Sequence, residues 1–201
     1  MSPARLRRLC LTKVNRPVEF IGNASARTRG HGVFRSTKTY GHNEGLSCCF
    51  RQWRATHSHC RFIHGYALAF RFVFAAAELD QNHWCFDFGA LKPVREWLKS
   101  TFDHTMLVAE DDPELSRFEL LARDGLIDLR VLPATGCEAT ARYAFDHVAS
   151  FIEKASSSRV WLESVEVMEH SGNSAIYTPN PDTSIKDATL GTSATEFGAL
   201  A

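Results

Sequence analysis

The chain lacks an excess of charge of either sign: 23 Lys and Arg stand against 23 Asp and Glu in 201 residues, for a formal net charge of zero. A dominant role on nucleic acid or on an anionic membrane surface calls for a basic surplus, so neither is expected. No apolar run approaches the ~20 residues of a membrane span. Leu9-Cys10-Leu11 is too short for the apolar region of a secretory signal. The six cysteines, at positions 10, 48, 49, 60, 85 and 137, form no CxxC pair and no disulfide-like lattice, which favours a reduced, cytoplasmic setting. No internal repeat is visible. What remains is 44% hydrophobic and 23% charged, the balance of an ordinary globular domain with a real core.

The two ends differ in composition from the middle. Residues 1–33 carry Arg5, Arg7, Arg8, Lys13, Arg16, Arg27 and Arg29 against the single acid Glu19. They are expected to be a basic, poorly ordered extension without a chemical role: a weak transit-like leader, or translated sequence upstream of the true start. Residues 178–201 are rich in Thr, Ser, Ala and Gly without periodicity and read as a flexible tail. The intervening 34–177 is the expected domain.

Within it, strands are expected at Leu46–Trp53, Tyr66–Phe74, Trp84–Phe88 and Val160–Glu169. Tyr66, Leu68, Phe70, Phe72 and Phe74 share one face by period-two alternation, and His64 has the same parity. A helix is expected over Ala90–Thr101, with Pro93 in its first turn. A second runs from the capping-box spacing Thr135-Gly136-Cys137-Glu138 to about Lys154. Strands mixed with two helices imply an α+β layer with the helices on one face.

Chemistry-bearing residues fall in a definite order. Cys60 is a candidate nucleophile or base, since a thiol with a pKa of ~8.5 is activated by nearby positive charge. A buried structural cysteine is the equally weighted alternative. Asp103-His104 can serve as a proton relay, or as a solvated Asp and a His at a helix end. Adjacent residues on a strand do not easily pair, so the carboxylate partner is expected elsewhere. Glu138 reads as the third residue of the capping box, at a helix N-terminus where a polar ring can also be held. Glu169 ends a strand on the face of Val165 and Val167, as an exposed end or as a bidentate acceptor for adjacent N–H donors. His57, His59 and His64 invite a metal reading. The pair expected on one strand face is His64 and Tyr66, however, and a phenol is a poor zinc ligand near neutral pH. Arg51, Arg54 and Arg61 stand as triphosphate contacts or as solvated charges. A thiol hydrolase built on Cys60 is a third, minor reading.

Taken together, Cys60-Arg-Phe-Ile-His64-Gly65-Tyr66, Asp87-Phe88-Gly-Ala-Leu91-Lys92, Phe102-Asp103-His104, Thr135-Gly136-Cys137-Glu138 and Val167-Met168-Glu169-His170 resemble the 6-pyruvoyltetrahydropterin synthase / 6-carboxytetrahydropterin synthase family, from about Leu46 to Tyr177. The resemblance implies a T-fold: a four-stranded antiparallel sheet with two helices on one face, oligomerising into a barrel, usually as a hexamer with interface active sites. It implies a lyase acting on 7,8-dihydroneopterin triphosphate. The product is 6-carboxytetrahydropterin on the queuosine path, with acetaldehyde and triphosphate released, or that of a pyruvoyl-type phosphate elimination. It gives Cys60 the role of proton-abstracting thiolate, Asp103 and His104 that of relay, Glu169 that of pterin anchor and Glu138 a place near the pocket. It also implies Zn(2+) held by three histidines. At those positions the chain has Phe50, His64 and Tyr66, so His57 or His59 must complete the set, or the chain is a pterin-binding paralogue with a degraded zinc site.

Overall fold

In the computed structural model, which describes residues 32–180, the organising element is β3, His64–Ala76. Its alternation buries Leu68, Phe70, Phe72 and Phe74. The phenylalanines form a ladder, with ring centroids 6.4 Å apart from Phe70 to Phe72 and 6.5 Å from Phe72 to Phe74. One edge of β3 is covered by two short strands, β1 (Phe34–Tyr40) and β2 (Leu46–Phe50), both antiparallel to it. A 3-10 turn at His42–Glu44 interrupts them and closes at Gly45, whose φ of 78° suits a residue without Cβ.

Past β3, the chain forms α1 (Lys92–Phe102), β4 (Thr105–Ala109), α2 (Leu115–Arg123), β5 (Leu129–Leu132), α3 (Cys137–Ala155), β6 (Val160–His170) and β7 (Asn173–Tyr177). β6 pairs antiparallel with the other edge of β3, and β7 with β6. α1 presents Val94, Leu98 and Phe102 to the core, and α3 presents Ala141, Ala144, Phe145, Val148 and Ile152. These sets recur at three- and four-residue steps, the spacing of one helix face. Phe102 meets Phe70 at 4.9 Å between ring centroids.

The α+β class holds, but the four-stranded antiparallel sheet expected from the resemblance does not describe the whole. Seven strands are present among the described residues, and β2, β4 and β5 run parallel to one another. Every residue of β4 is buried, so it lacks the polar–apolar alternation by which a half-exposed strand is recognised. A third helix, α2, sits over a small cluster of Met106, Val108 and Phe118.

Three local expectations are corrected. Trp84–Phe88 is not a strand: the Asp80 carboxylate accepts from the N–H groups of Asn82 and Trp84 and winds a turn, with His83 at φ 61°. The strand expected to reach Trp53 stops at Phe50. Thr135 does not cap α3, because its hydroxyl donates instead to the Arg51 carbonyl (2.6 Å) and Gly136 takes the cap position. The expectations for residues 1–31 and 181–201 lie outside the described residues, and among those described no helix is long and apolar enough to cross a membrane.

Because Phe70 is wholly buried between the sheet and α1, Phe70→Ala is expected to lower unfolding stability by about 3–5 kcal/mol, measured by urea denaturation.

Candidate active site

Where β2 ends, the backbone is turned by a clamp. Arg51 forms two hydrogen bonds to Asp112, Nε to Oδ2 at 2.8 Å and Nη2 to Oδ1 at 2.5 Å, and the Asp112 side chain is 1% exposed. Beside it, Trp53 Nε1 donates to Asp111 (3.0 Å), and the Arg54 guanidinium reaches the same carboxylate (2.5 Å) while lying over the Trp53 ring. These contacts fix the start of the loop that carries Cys60. Its far end is held by the Gln52 N–H donating to the Cys60 carbonyl (2.7 Å), and by the Cys60 N–H donating to Ser58 Oγ (3.2 Å). The Gln52 side chain packs over Gly136, where a Cβ would come within 2.2 Å of Nε2 and where φ is 104°. A side chain at that position would push the Gln52 amide aside and would hold a φ that residues with a Cβ rarely adopt.

The clamp also sorts the arginines. Arg51 and Arg54 are neutralised by Asp112 and Asp111. Arg61 keeps an exposed guanidinium over Phe62, with one long hydrogen bond to the Thr56 carbonyl (3.5 Å).

Beside the loop, Phe50 and His64 are directly paired across β2 and β3, and Tyr66 follows on the same face. The three rings form one cluster, with centroid distances of 5.0 Å (Phe50–His64), 5.6 Å (His64–Tyr66) and 6.2 Å (Phe50–Tyr66). Burial raises the Tyr66 phenol above its ordinary pKa, and the Glu169 carboxylate and the thiols of Cys60 and Cys137 raise it further. These three side chains are therefore within electrostatic reach of Tyr66, which is a neutral donor at neutral pH.

Cys137, the first residue of α3, has no assigned role in the sequence reading. Its thiol lies close enough to the Glu169 carboxylate and backbone to feel both, and burial, with the charges of Glu169 and Glu138, pushes its pKa up to about 12. No sequence spacing announces this pair, because its members come from α3 and β6. Glu138 points elsewhere: it is exposed and borders a groove with Arg142, Tyr143, Asp146 and Tyr177.

Asp103 and His104 do pair with each other, contrary to expectation: His104 Nδ1 lies 2.6 Å from Asp103 Oδ1. This is possible because His104 adopts φ 58°, a left-handed conformation in which neighbouring side chains need not point to opposite sides as on a strand. Its own N–H donates to the Ser47 carbonyl (2.6 Å), which anchors the pair to β2. Neither residue hydrogen-bonds Cys60. His104 and Tyr66 both border a groove of about 580 Å³ between β2, β3 and the 126–128 segment.

The histidines do not assemble a metal centre. His64 Nδ1 donates to the Phe62 carbonyl (2.8 Å), leaving one ring nitrogen, and His57 and His59 are exposed on the loop. Among the described residues no three His, Cys, Asp or Glu side chains converge as a ligand set. The zinc expected from the resemblance, with His57, His59 and His64 as ligands, therefore does not fit the residues present.

Comparison with known proteins bears on this arrangement. Residues 41–180 match the family model described as 6-pyruvoyl tetrahydropterin synthase. Over 59 residues the chain is 32% identical to a 6-carboxy-5,6,7,8-tetrahydropterin synthase of Rickettsia felis, covering 29% of this chain and 43% of that protein. It is 30% identical to the Rickettsia conorii protein of the same name, with the same coverage. The chain thus spans less than half the length of the curated relatives it matches. Among solved structures, an uncharacterized protein from Wolinella succinogenes superposes with a TM-score of 0.62 at 17% identity, and a Plasmodium vivax 6-pyruvoyltetrahydropterin synthase with 0.55 at 15%. Each match covers 74% of this chain and 99% of the other. At such identities the likeness is one of fold.

Two outcomes follow from this geometry. The Asp112 carboxyl is pushed up by burial, but hydrogen bonds from Arg51 and the Glu114 N–H, with the Arg51 charge, hold it below the usual range. A depressed acid stabilises the fold above its unfolded pKa of ~3.9, and that contribution is lost as pH falls through the folded value. Asp112→Asn is expected to cost about 3–5 kcal/mol at pH 7 and to flatten the loss of stability between about pH 5 and pH 2, read by urea unfolding across that range. Cysteine alkylation mapped by mass spectrometry at pH 7.5 is expected to label Cys60, which is half-buried, ahead of Cys48 and Cys137, whose pKa values burial pushes up to about 12.

Proposed function

The chain belongs to the 6-pyruvoyl tetrahydropterin synthase family, and on that premise we propose that it is a carbon–carbon lyase of the 6-carboxytetrahydropterin synthase type, acting on 7,8-dihydroneopterin triphosphate. The observation that carries this reading is that Cys60, Cys137 and Glu169 lie within electrostatic reach of Tyr66, where β3 begins and β6 ends. A carboxylate at that place can accept from the adjacent N–H donors of a pterin ring edge, a bidentate, charge-assisted contact. Glu169 is then the ring anchor, with the Cys137 thiol donating to its carboxylate and helping to orient it. Cys60 is the base that withdraws a proton from the substrate side chain, as an unprotonated thiolate can. Asp103 and His104 act as the relay, the Asp103 carboxylate orienting the imidazole.

In one chain the relay does not touch Cys60, which favours an active site completed by a second copy. The outer edges of β1 and β7 have no strand partner among the described residues, and an unpaired edge can accept a strand from another chain. A homo-oligomeric barrel, of hexamer size by resemblance, joins those edges. The basic 1–33 extension is proposed to take no part in the chemistry, and a cytoplasmic location agrees with the free cysteines of the described residues.

A second reading, pterin binding without turnover, is favoured by Phe50 and Tyr66 standing where the resemblance implies metal ligands. One experiment separates the two. Purified oligomer is incubated with 7,8-dihydroneopterin triphosphate, acetaldehyde and pterin products are quantified, and pterin affinity is measured by fluorescence. The lyase reading expects turnover, lost by at least about 10³-fold in Cys60→Ala with binding retained within about threefold, and binding weakened at least about tenfold in Glu169→Gln. Unchanged substrate with Glu169-dependent binding selects the binding protein. Unchanged substrate with no pterin binding overturns both.

A further inference from the structure

We infer that the His64–Tyr66 face, backed by the buried Phe50 ring, is a metal-free aromatic platform, on which the Tyr66 hydroxyl supplies a neutral hydrogen bond to an oxygen of the bound ligand. The geometry of the face would suit a three-ligand centre, since Phe50 and His64 are cross-strand partners and Tyr66 shares their side of the sheet. Its chemistry does not. Phenylalanine offers no lone pair, and a neutral phenol is a weak donor to a divalent cation. His64 has already committed Nδ1 to the Phe62 carbonyl, so the face supplies one strong nitrogen ligand where catalytic zinc takes three from the protein. Phe50 is 1% exposed, and an ion held against its ring would be desolvated without coordination in return.

Instead the face is aromatic and partly open, with His64 and Tyr66 half-buried. The rings of His64 and Tyr66 meet at 89°, and His170, exposed at the end of β6, lies 6.1 Å from Tyr66. Edge-to-face and tilted contacts of this kind are favourable between π systems. The Tyr66 hydroxyl has no hydrogen-bond partner among the described residues, although Cys60, Cys137 and Glu169 are within electrostatic reach of it. An O–H free to donate to a ligand oxygen can polarise it by hydrogen bonding, without an ion. This inference takes from the proposed function only the identity of the ligand as a pterin; the absence of a zinc centre rests on the donor set alone.

The test uses the full chain as purified oligomer. Zinc per chain is measured by mass spectrometry after equilibration with excess zinc and gel filtration. Pterin affinity is titrated with 7,8-dihydroneopterin, with and without EDTA. Expected are zinc far below one per chain, binding indifferent to EDTA, and binding weakened about tenfold by Tyr66→Phe, the scale of one neutral hydrogen bond. The double substitution Phe50→His with Tyr66→His is expected to gain one zinc per chain; if it fails to fold, the wild-type stoichiometry decides alone. One tightly held zinc per wild-type chain, with pterin binding abolished by EDTA, overturns the inference. So does Tyr66→Phe binding as tightly as the wild type. Absence of both zinc and pterin binding in the wild type would sink the pterin reading and the platform with it, while leaving the metal-free donor set supported.

Discussion

The buried ion pair between Arg51 and Asp112 is the contact on which the candidate site depends. It sits where β2 ends and turns the chain into the loop that carries Cys60. Because Asp112 is almost wholly out of water, breaking the pair would leave an uncompensated charge, which makes the turn costly to undo. The same turn exposes the Arg51 carbonyl to the Thr135 hydroxyl and lays Gln52 over Gly136. In this way the start of α3, with Cys137, is registered against the Cys60 loop. The added parallel strands and α2 have a structural purpose in this light: Asp111 and Asp112 lie in the connection between β4 and α2, which holds the acids that grip the loop.

Around that frame, the site combines two kinds of chemistry. One half is ionisable, with Cys60, Cys137 and the Glu169 carboxylate near the N-terminus of α3. The other half is aromatic, with Phe50, His64, Tyr66 and His170 along the ends of β2, β3 and β6. A flat heterocycle with an N–H edge matches both halves, through a bidentate contact to the carboxylate and π contacts to the rings. The Asp103–His104 pair stands apart, anchored to Ser47 and open to the groove it shares with Tyr66. Its separation from Cys60 is what a site assembled between copies would require.

Much of this was legible in the residues, for identifiable reasons. The Phe70, Phe72 and Phe74 stripe and the parity of His64 with Tyr66 follow from period-two alternation, and both are present in the sheet. Glu169 stood out as a candidate because a carboxylate read onto the face of Val165 and Val167 demands a partner. Other features had no local signal. β4 is buried along its whole length and so does not alternate. The Asp103–His104 contact depends on a positive φ at a non-glycine residue, which few such residues adopt. The Cys137–Glu169 pair joins two elements that only the tertiary fold brings together. Thr135 carried the right spacing for a helix cap but serves the Arg51 carbonyl, a case of tertiary context overriding a local motif.

The central claim is that a pterin ring is held between Glu169 and a metal-free aromatic face. A crystal structure of the oligomer with 7,8-dihydroneopterin, recorded at the zinc absorption edge, tests it most directly. The account predicts the ring's N–H edge on the Glu169 carboxylate, a ligand oxygen within hydrogen-bond distance of the Tyr66 hydroxyl, and no anomalous peak beside His64. A zinc peak coordinated by His64, or a pterin bound away from Glu169, would contradict it.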